Sequence, residues 1–264
     1  MVADITDIFA EVQKKKPLVH QMTNYVTVND CANITICAGG SPVMSDAKED
    51  VEDMVSIASA LVLNIGTLNS RTNESMILAG KTANELNIPV ILDPVGVGAT
   101  KFRTKTAEDI LDSVRVSVIK GNAGEISILA GSGGVVKGVD SISGSDDAEE
   151  TVKALSRATD AIIGMTGKTD YVSDGKTVYI LNNGDNYLET VSGTGCMVSS
   201  VVGCYVGAYG VSADSVAAAI SVFNIAGEIA AMTAKGPGSF KTKLFDSMYN
   251  LTTADINDRV KIGT

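Results

Sequence analysis

The stretch VSGTGCMVSSVVGCYVGAYG, residues 191–210, decides how this chain is read. In its first seven residues two glycines and two small hydroxyl residues leave the backbone bare. The N–H groups of Gly193, Thr194, Gly195 and Cys196 can then converge on one point just where a helix begins, an arrangement that binds anions. No charged residue falls between 197 and 211, so this helix reads as buried and its positive end as rigidly held. Cys196 sits in the first turn, where the same field favours a thiolate. A tight glycine turn ahead of an ordinary core helix would look the same, and the rest of the chain has to decide between them.

The chain has 264 residues, 45% hydrophobic and 20% charged, without a Pro-rich or Ser-rich linker. That composition suits a globular protein, and a single domain spanning residues 1–264 is expected. A net charge of −10, with no basic run beyond Lys14 to Lys16, argues against a nucleic-acid surface, which needs clustered Lys and Arg. A small-molecule partner is expected instead. The four cysteines form no CxxC pair and no signal peptide is recognised, which points to a reducing, cytoplasmic setting. No charge-free apolar run has the length and flanks of a membrane span; residues 197–211 come nearest and are broken by glycine.

Working outward from the glycine turn, apolar runs of strand length alternate with helical patterns. Residues 4–16 read as a helix ended by Pro17. A strand in LVHQMTNYV then leads through Thr23 and Asn24 into a helix that stops at Gly39 and Gly40. Residues 41–45, SPVMS, read as a non-helical connector carrying Met44. Continuous apolar runs at 60–65, 89–93, 115–120 and 161–166 have the look of buried parallel strands. Helices are expected over 49–58, 69–87, 106–113 and 147–158, and residues 131–145 read as a loop. DYVSD and TVYILNN, flanking Asp174-Gly175, read as an antiparallel hairpin. After the glycine-turn helix, two more helical patterns, 211–233 and 238–251, close the chain. This rhythm predicts an α/β fold, a mostly parallel central sheet with helices on both faces.

In such sheets ligands gather at the carboxyl ends of the strands, and there the polar residues collect: Asp93; Lys120 with Asn122 and Glu125; Thr166; and the 193–196 turn. Asp93 and Glu125 suit a hard cation such as Mg²⁺. Lys120 and the Thr166 hydroxyl suit a phosphate. His20, the only histidine, reads as a buried hydrogen-bonded residue. The P-loop signature GxxxxGK[ST] is absent, as is a GxGxxG after the first strand, so both of those nucleotide-binding designs are set aside.

The set GNxxE (Gly121, Asn122, Glu125), MTG (165–167) and SGTGC opening a long helix resembles the ribokinase-like fold, a three-layer sandwich. Within it, residues 17–45 and ILDPVGVGAT at 91–100 resemble the hydroxyethylthiazole kinase family of thiamine salvage, along essentially the whole chain. The resemblance implies transfer of the γ-phosphoryl group of ATP, with Mg²⁺, to the primary alcohol of 4-methyl-5-(2-hydroxyethyl)thiazole. By that likeness Met44, Gly193, Asn24 and Thr23 border the thiazole, while Lys120, Thr166 and Asn122 meet ATP. Asp93 and Glu125 hold the metal. The family more often carries arginine where this chain has Lys120, so a point charge stands in for a bidentate contact. Cys196, with Gly193, Thr194 and Gly195, occupies the catalytic turn. Sugar kinases of the wider fold carry an aspartate base at the position of Cys196, which leaves this residue either a proton acceptor or a positioning group. The family also implies a homotrimer with active sites between subunits. A hydroxymethylpyrimidine kinase, another small-alcohol kinase, a hydrate dehydratase of the same fold and a non-catalytic metabolite sensor are the alternatives.

Overall fold

A computed structural model describes residues 4–131 and 145–264; most of the stretch read as a loop, 132–144, lies outside them. In chain order the elements are α1 (Ile5–Lys15), β1 (Leu18–Met22), α2 (Val28–Cys37), β2 (Ser41–Val43), α3 (Val51–Ser56), β3 (Ala60–Asn64), α4 (Ser70–Glu85), β4 (Val90–Asp93), α5 (Lys101–Ser113), β5 (Val118–Asn122), α6 (Ala123–Gly131), α7 (Ser145–Thr159), β6 (Ile162–Thr166), β7 (Asp170–Ser173) and β8 (Val178–Leu181). A 3-10 turn (Asn186–Thr190) then leads to α8 (Thr194–Tyr209), α9 (Ala213–Ala231), α10 (Pro237–Asn250), α11 (Thr253–Arg259) and β9 (Ile262–Gly263). The strands form one sheet in the order β2-β1-β3-β4-β5-β6-β7-β8-β9. The pairings from β2 through β6 are parallel, and those of β7, β8 and β9 are antiparallel.

Period-two alternation divides the core into two layers. Ala60, Val62, Ile91 and Val118 face a cluster built with α1, α2, α8, α9 and α10. Leu61, Leu63, Val90, Leu92 and Ile119 face a second cluster with α3 to α7. Burial on both faces explains why β3 and β4 read as unbroken apolar runs. The α/β architecture expected from the sequence is therefore the one observed.

Four local readings need correction. SPVMS contains β2, a three-residue parallel edge strand on β1; Pro42 is tolerated there because an edge position does not require every N–H. Helix α5 begins at Lys101 rather than 106, because the Thr100 side chain accepts from the Arg103 N–H and caps it. The chain does not end at residue 251: Thr252 and Asp255 form a capping box that starts α11, and β9 then pairs with β8. Finally, the one helix among the described residues long and apolar enough to span a membrane is α9, not the 197–211 run, and it is mostly buried in the core.

Candidate functional site

The same alternation that sorts the core puts a row of polar side chains on the α8 face at the sheet's carboxyl edge. Gln21 ends that face of β1, Asn64 that of β3, Asp93 that of β4, Lys120 and Asn122 that of β5, and Thr166 that of β6; Asn64 pairs with Asp93, and Asn122 with Thr166. Helix α8 lies over this row on small residues. A Cβ at Gly203 would come within 2.8 Å of Val19 and 2.9 Å of Val62, so only glycine allows that approach. One turn nearer the amino end, Ser199 donates to Asp93 Oδ2 at 2.7 Å and Ser200 to Gln21 Oε1 at 2.8 Å.

At the head of α8, Gly193 has φ +90°, and a Cβ there would fall 2.2 Å from Thr27 Cγ2. Both the backbone conformation and the space demand glycine. The Met197 N–H closes the first turn on Gly193 O at 2.9 Å, so the amides of Thr194, Gly195 and Cys196 lie ahead of that bond, free of intrahelical partners. The Thr194 hydroxyl turns back to Leu188 O at 2.8 Å, and the residue's contribution is its amide.

Asp93 and Lys120 are 1% and 3% exposed, with Lys120 Nζ 3.9 Å from Asp93 Oδ1 and donating to Gly195 O at 2.9 Å. Asp93 Oδ2 accepts from both Asn64 Nδ2 (2.8 Å) and Ser199, which leaves Oδ1 as the oxygen facing the lysine. Burial pushes the Asp93 carboxyl up, opposed chiefly by Lys120. Burial and then Asp93 also push the Cys196 thiol up, against the pull of Lys120. The helix field therefore does not win, and the thiolate expected from the sequence is disfavoured. Cys196 Sγ instead accepts from Asn24 Nδ2 at 3.3 Å, and the same nitrogen donates to Asn64 Oδ1 at 3.1 Å.

The GNxxE spacing has a structural basis. Asn122 and Glu125 bond reciprocally at the head of α6, Glu125 N to Asn122 Oδ1 at 2.9 Å and Asn122 N to Glu125 Oε2 at 2.8 Å. Glu125 Oε1 takes the Gly96 N–H at 2.9 Å. No group of three or more His, Cys, Asp or Glu among the described residues makes a closed metal cage. Two carboxylates on one cavity nevertheless fit Mg²⁺ held largely by water and phosphate oxygens.

Asp93, Lys120, Asn122, Glu125, Thr166, Gly193, Gly195 and Cys196 line one cavity of about 190 Å³. A neighbouring cavity of about 310 Å³ shares Asn122, Thr166 and Gly195 and extends past Val198 and Phe223. Thr23 and Met44 line a third, of about 260 Å³, which has no lining residue in common with the first. Met44 and Gly193 thus line separate cavities of one chain, and Asn24, next to Thr23, is bonded to Cys196. His20 is buried with Nε2 2.9 Å from Ser45 O, as its sequence context suggested. The sequence reading missed Asn64 and Ser199. The first closes its strand as Asp93 closes its own, and the second lies three residues after Cys196, one helical turn away.

Comparison with known proteins gives the family. The family model described as "Hydroxyethylthiazole kinase family" matches residues 9–254. The chain is 50% identical to a hydroxyethylthiazole kinase of Methanocella arvoryzae, over 98% of this chain and 97% of that one. It is 53% identical to that of Thermoanaerobacter pseudethanolicus, over 95% and 96%. The solved structure of a hydroxyethylthiazole kinase protein from Pyrococcus horikoshii OT3 superposes with a TM-score of 0.92 at 40% identity, covering 98% of each chain. An ADP complex of Bacillus subtilis pyridoxal kinase, at 17% identity and a TM-score of 0.60 over 80% of this chain and 91% of that one, shares the fold. The chain belongs to the hydroxyethylthiazole kinase family.

Proposed function

We propose that the cavity under the head of α8 is where the γ-phosphoryl group of ATP passes to the primary alcohol of 4-methyl-5-(2-hydroxyethyl)thiazole. The observation that carries this reading is the convergence of a lysine, two carboxylates and the amino end of α8 on one small cavity in a chain about half identical to hydroxyethylthiazole kinases over its whole length. In the transfer the alcohol oxygen bonds to the γ-phosphorus, the bond to the β-phosphate bridging oxygen breaks, ADP leaves, and the alcohol proton passes to a transferred phosphoryl oxygen or to solvent. The work left to the protein is positioning and charge stabilisation. The amides of Thr194, Gly195 and Cys196 face the developing negative charge. Lys120, held 2.9 Å from Gly195 O, adds a fixed positive charge, and Thr166 and Asn122 border the phosphate path. Cys196 keeps its proton and shapes the pocket for the alcohol; a loose transition state needs little help from a base.

Mg²⁺, when bound with the nucleotide, would neutralise phosphate charge, and Asp93 and Glu125 are the residues that would hold it. The Met44 cavity supports a homotrimer in which the thiazole lies between subunits: it opens at the edge of the sheet, beside Tyr25 and Val26, 79% and 63% exposed. In that assembly Met44, Thr23 and one protomer's edge strand would meet Gly193 and Asn24 of a neighbour. A single-domain enzyme working in the cytoplasm completes the reading.

The test is ADP release by purified protein with ATP and Mg²⁺, with and without hydroxyethylthiazole, and with hydroxymethylpyrimidine as control. Thiazole-dependent ADP formation is expected. ATP binding without stimulation by either alcohol would overturn the assignment of substrate.

A further inference from the structure

The second cavity holds a buried pair that phosphoryl transfer does not use. Asp170, first residue of β7 and 3% exposed, accepts the Gly167 N–H on Oδ1 at 2.8 Å and Asn224 Nδ2 of α9 on Oδ2 at 2.6 Å. A carboxylate offers no proton, so it fixes which end of the amide faces it: Asn224 must present nitrogen to Asp170 and oxygen away from it. Asn224 Oδ1 has no hydrogen-bond partner among the described residues, and the residue lines both this cavity and a polar one of about 310 Å³ that continues past Asn183 and Asp185. The first cavity joins the phosphate cavity through Thr166 and Gly195 and is walled by Val198, Leu188 and Phe223. A nucleotide whose phosphates lie at the head of α8 would run its nucleoside along that apolar wall toward Asn224.

We propose that Asn224 supplies the hydrogen-bond acceptor that reads a donor on the nucleoside part of the co-substrate, and that Asp170 is the residue that positions it. This rests on the kinase reading above and deepens it. Two donors share the required chemistry, the exocyclic amino group of the base and a ribose hydroxyl. A bound nucleoside would cover this acceptor, and an acceptor covered without a partner is costly, so the analogue lacking the donor is the one rejected.

The test measures kcat and KM of the wild type with ATP, ITP, 2′-deoxy-ATP and 3′-deoxy-ATP, and in parallel the binding of each nucleotide without thiazole. One analogue is expected to lose about tenfold or more in kcat/KM and in affinity; ITP as the loser assigns the base amino group, a deoxy analogue the ribose. In Asn224→Ala that discrimination disappears, with KM for ATP raised and KM for thiazole unchanged. Asn224→Ser, which can still donate to Asp170, serves if the alanine variant does not fold. Asp170→Asn weakens the same discrimination, and Asp170→Glu restores part of it, which a merely structural role would not do. Four nucleotides bound equally by the wild type, or discrimination that survives in the Asn224 variants, overturns the proposal. Lost turnover with nucleotide discrimination in binding intact counts against the kinase reading and leaves Asn224 standing.

Discussion

The cavity under the head of α8 and the Met44 cavity are built on opposite plans. Around the first, every strand from β3 to β6 ends in a polar side chain on the same face, and the two buried charges each have partners: Asp93 with Lys120, Asn64 and Ser199, and Lys120 with Gly195 O. Around the second, a three-residue edge strand and a short connector carry Met44 beside an exposed tyrosine. Charge chemistry needs a preorganised, low-dielectric site, which the centre of a parallel sheet provides. Holding a small apolar ring needs only surface, and the sheet edge leaves that surface open to a second chain. On the proposed reading, this contrast would let Met44 and Gly193 serve one substrate while lining separate cavities of one chain.

The largest effect should come from the preorganised cavity. Asp93→Asn removes the charge that balances buried Lys120, and turnover should fall by about 10² to 10³ while thiazole KM changes little; steady-state kinetics reads both. Met44→Ala should do the reverse, raising thiazole KM by about tenfold with kcat and ATP KM retained. Equal effects of both variants on kcat would erase the distinction between the two regions. Cys196→Ala should lower kcat by less than about 10²-fold, since general-base catalysis is worth about 10² to 10⁴ where it is essential. A loss beyond that range in a folded alanine variant would make the thiol an obligatory proton acceptor.

The smallest effect is a dependence on pH. Burial, opposed by Gly167, Asn224 and Lys120, pushes Asp170 up to about 6. Its folded value lies above the unfolded one, so between about pH 4 and 6 the native state binds the extra proton, and this group's contribution to stability falls as pH rises through that window. Nucleotide binding should run the other way. As pH drops below about 6 the protonated carboxyl stops fixing the Asn224 amide, and ATP KM should rise; the trend should vanish in Asp170→Asn.

Much of this was legible in the chain. Unbroken apolar runs gave away β3 and β4 because both their faces are buried, and the glycine at 193 announced the head of α8 because nothing larger fits there. The strand-end rule found Asp93, Lys120 and Thr166 without knowing their neighbours. Edge strands β2 and β9 were illegible, since two or three residues carry no periodicity. The Cys196 thiol was misjudged for a different reason. Helix position is local and visible in sequence, whereas its burial beside Asp93 joins residues 103 positions apart, from Asp93 to Cys196. Asp170 and Asn224 were missed on the same ground: they meet only once β7 packs on α9.

The most direct test mixes two defective proteins, Asp93→Asn and Met44→Glu, by co-expression or by dissociation and reassembly. If the charge-handling cavity of one protomer completes the thiazole surface of its neighbour, mixed oligomers regain activity, up to about a quarter of wild-type sites when subunits assort at random. Activity that never exceeds the sum of the two variants would contradict the account, placing the whole site within a single chain.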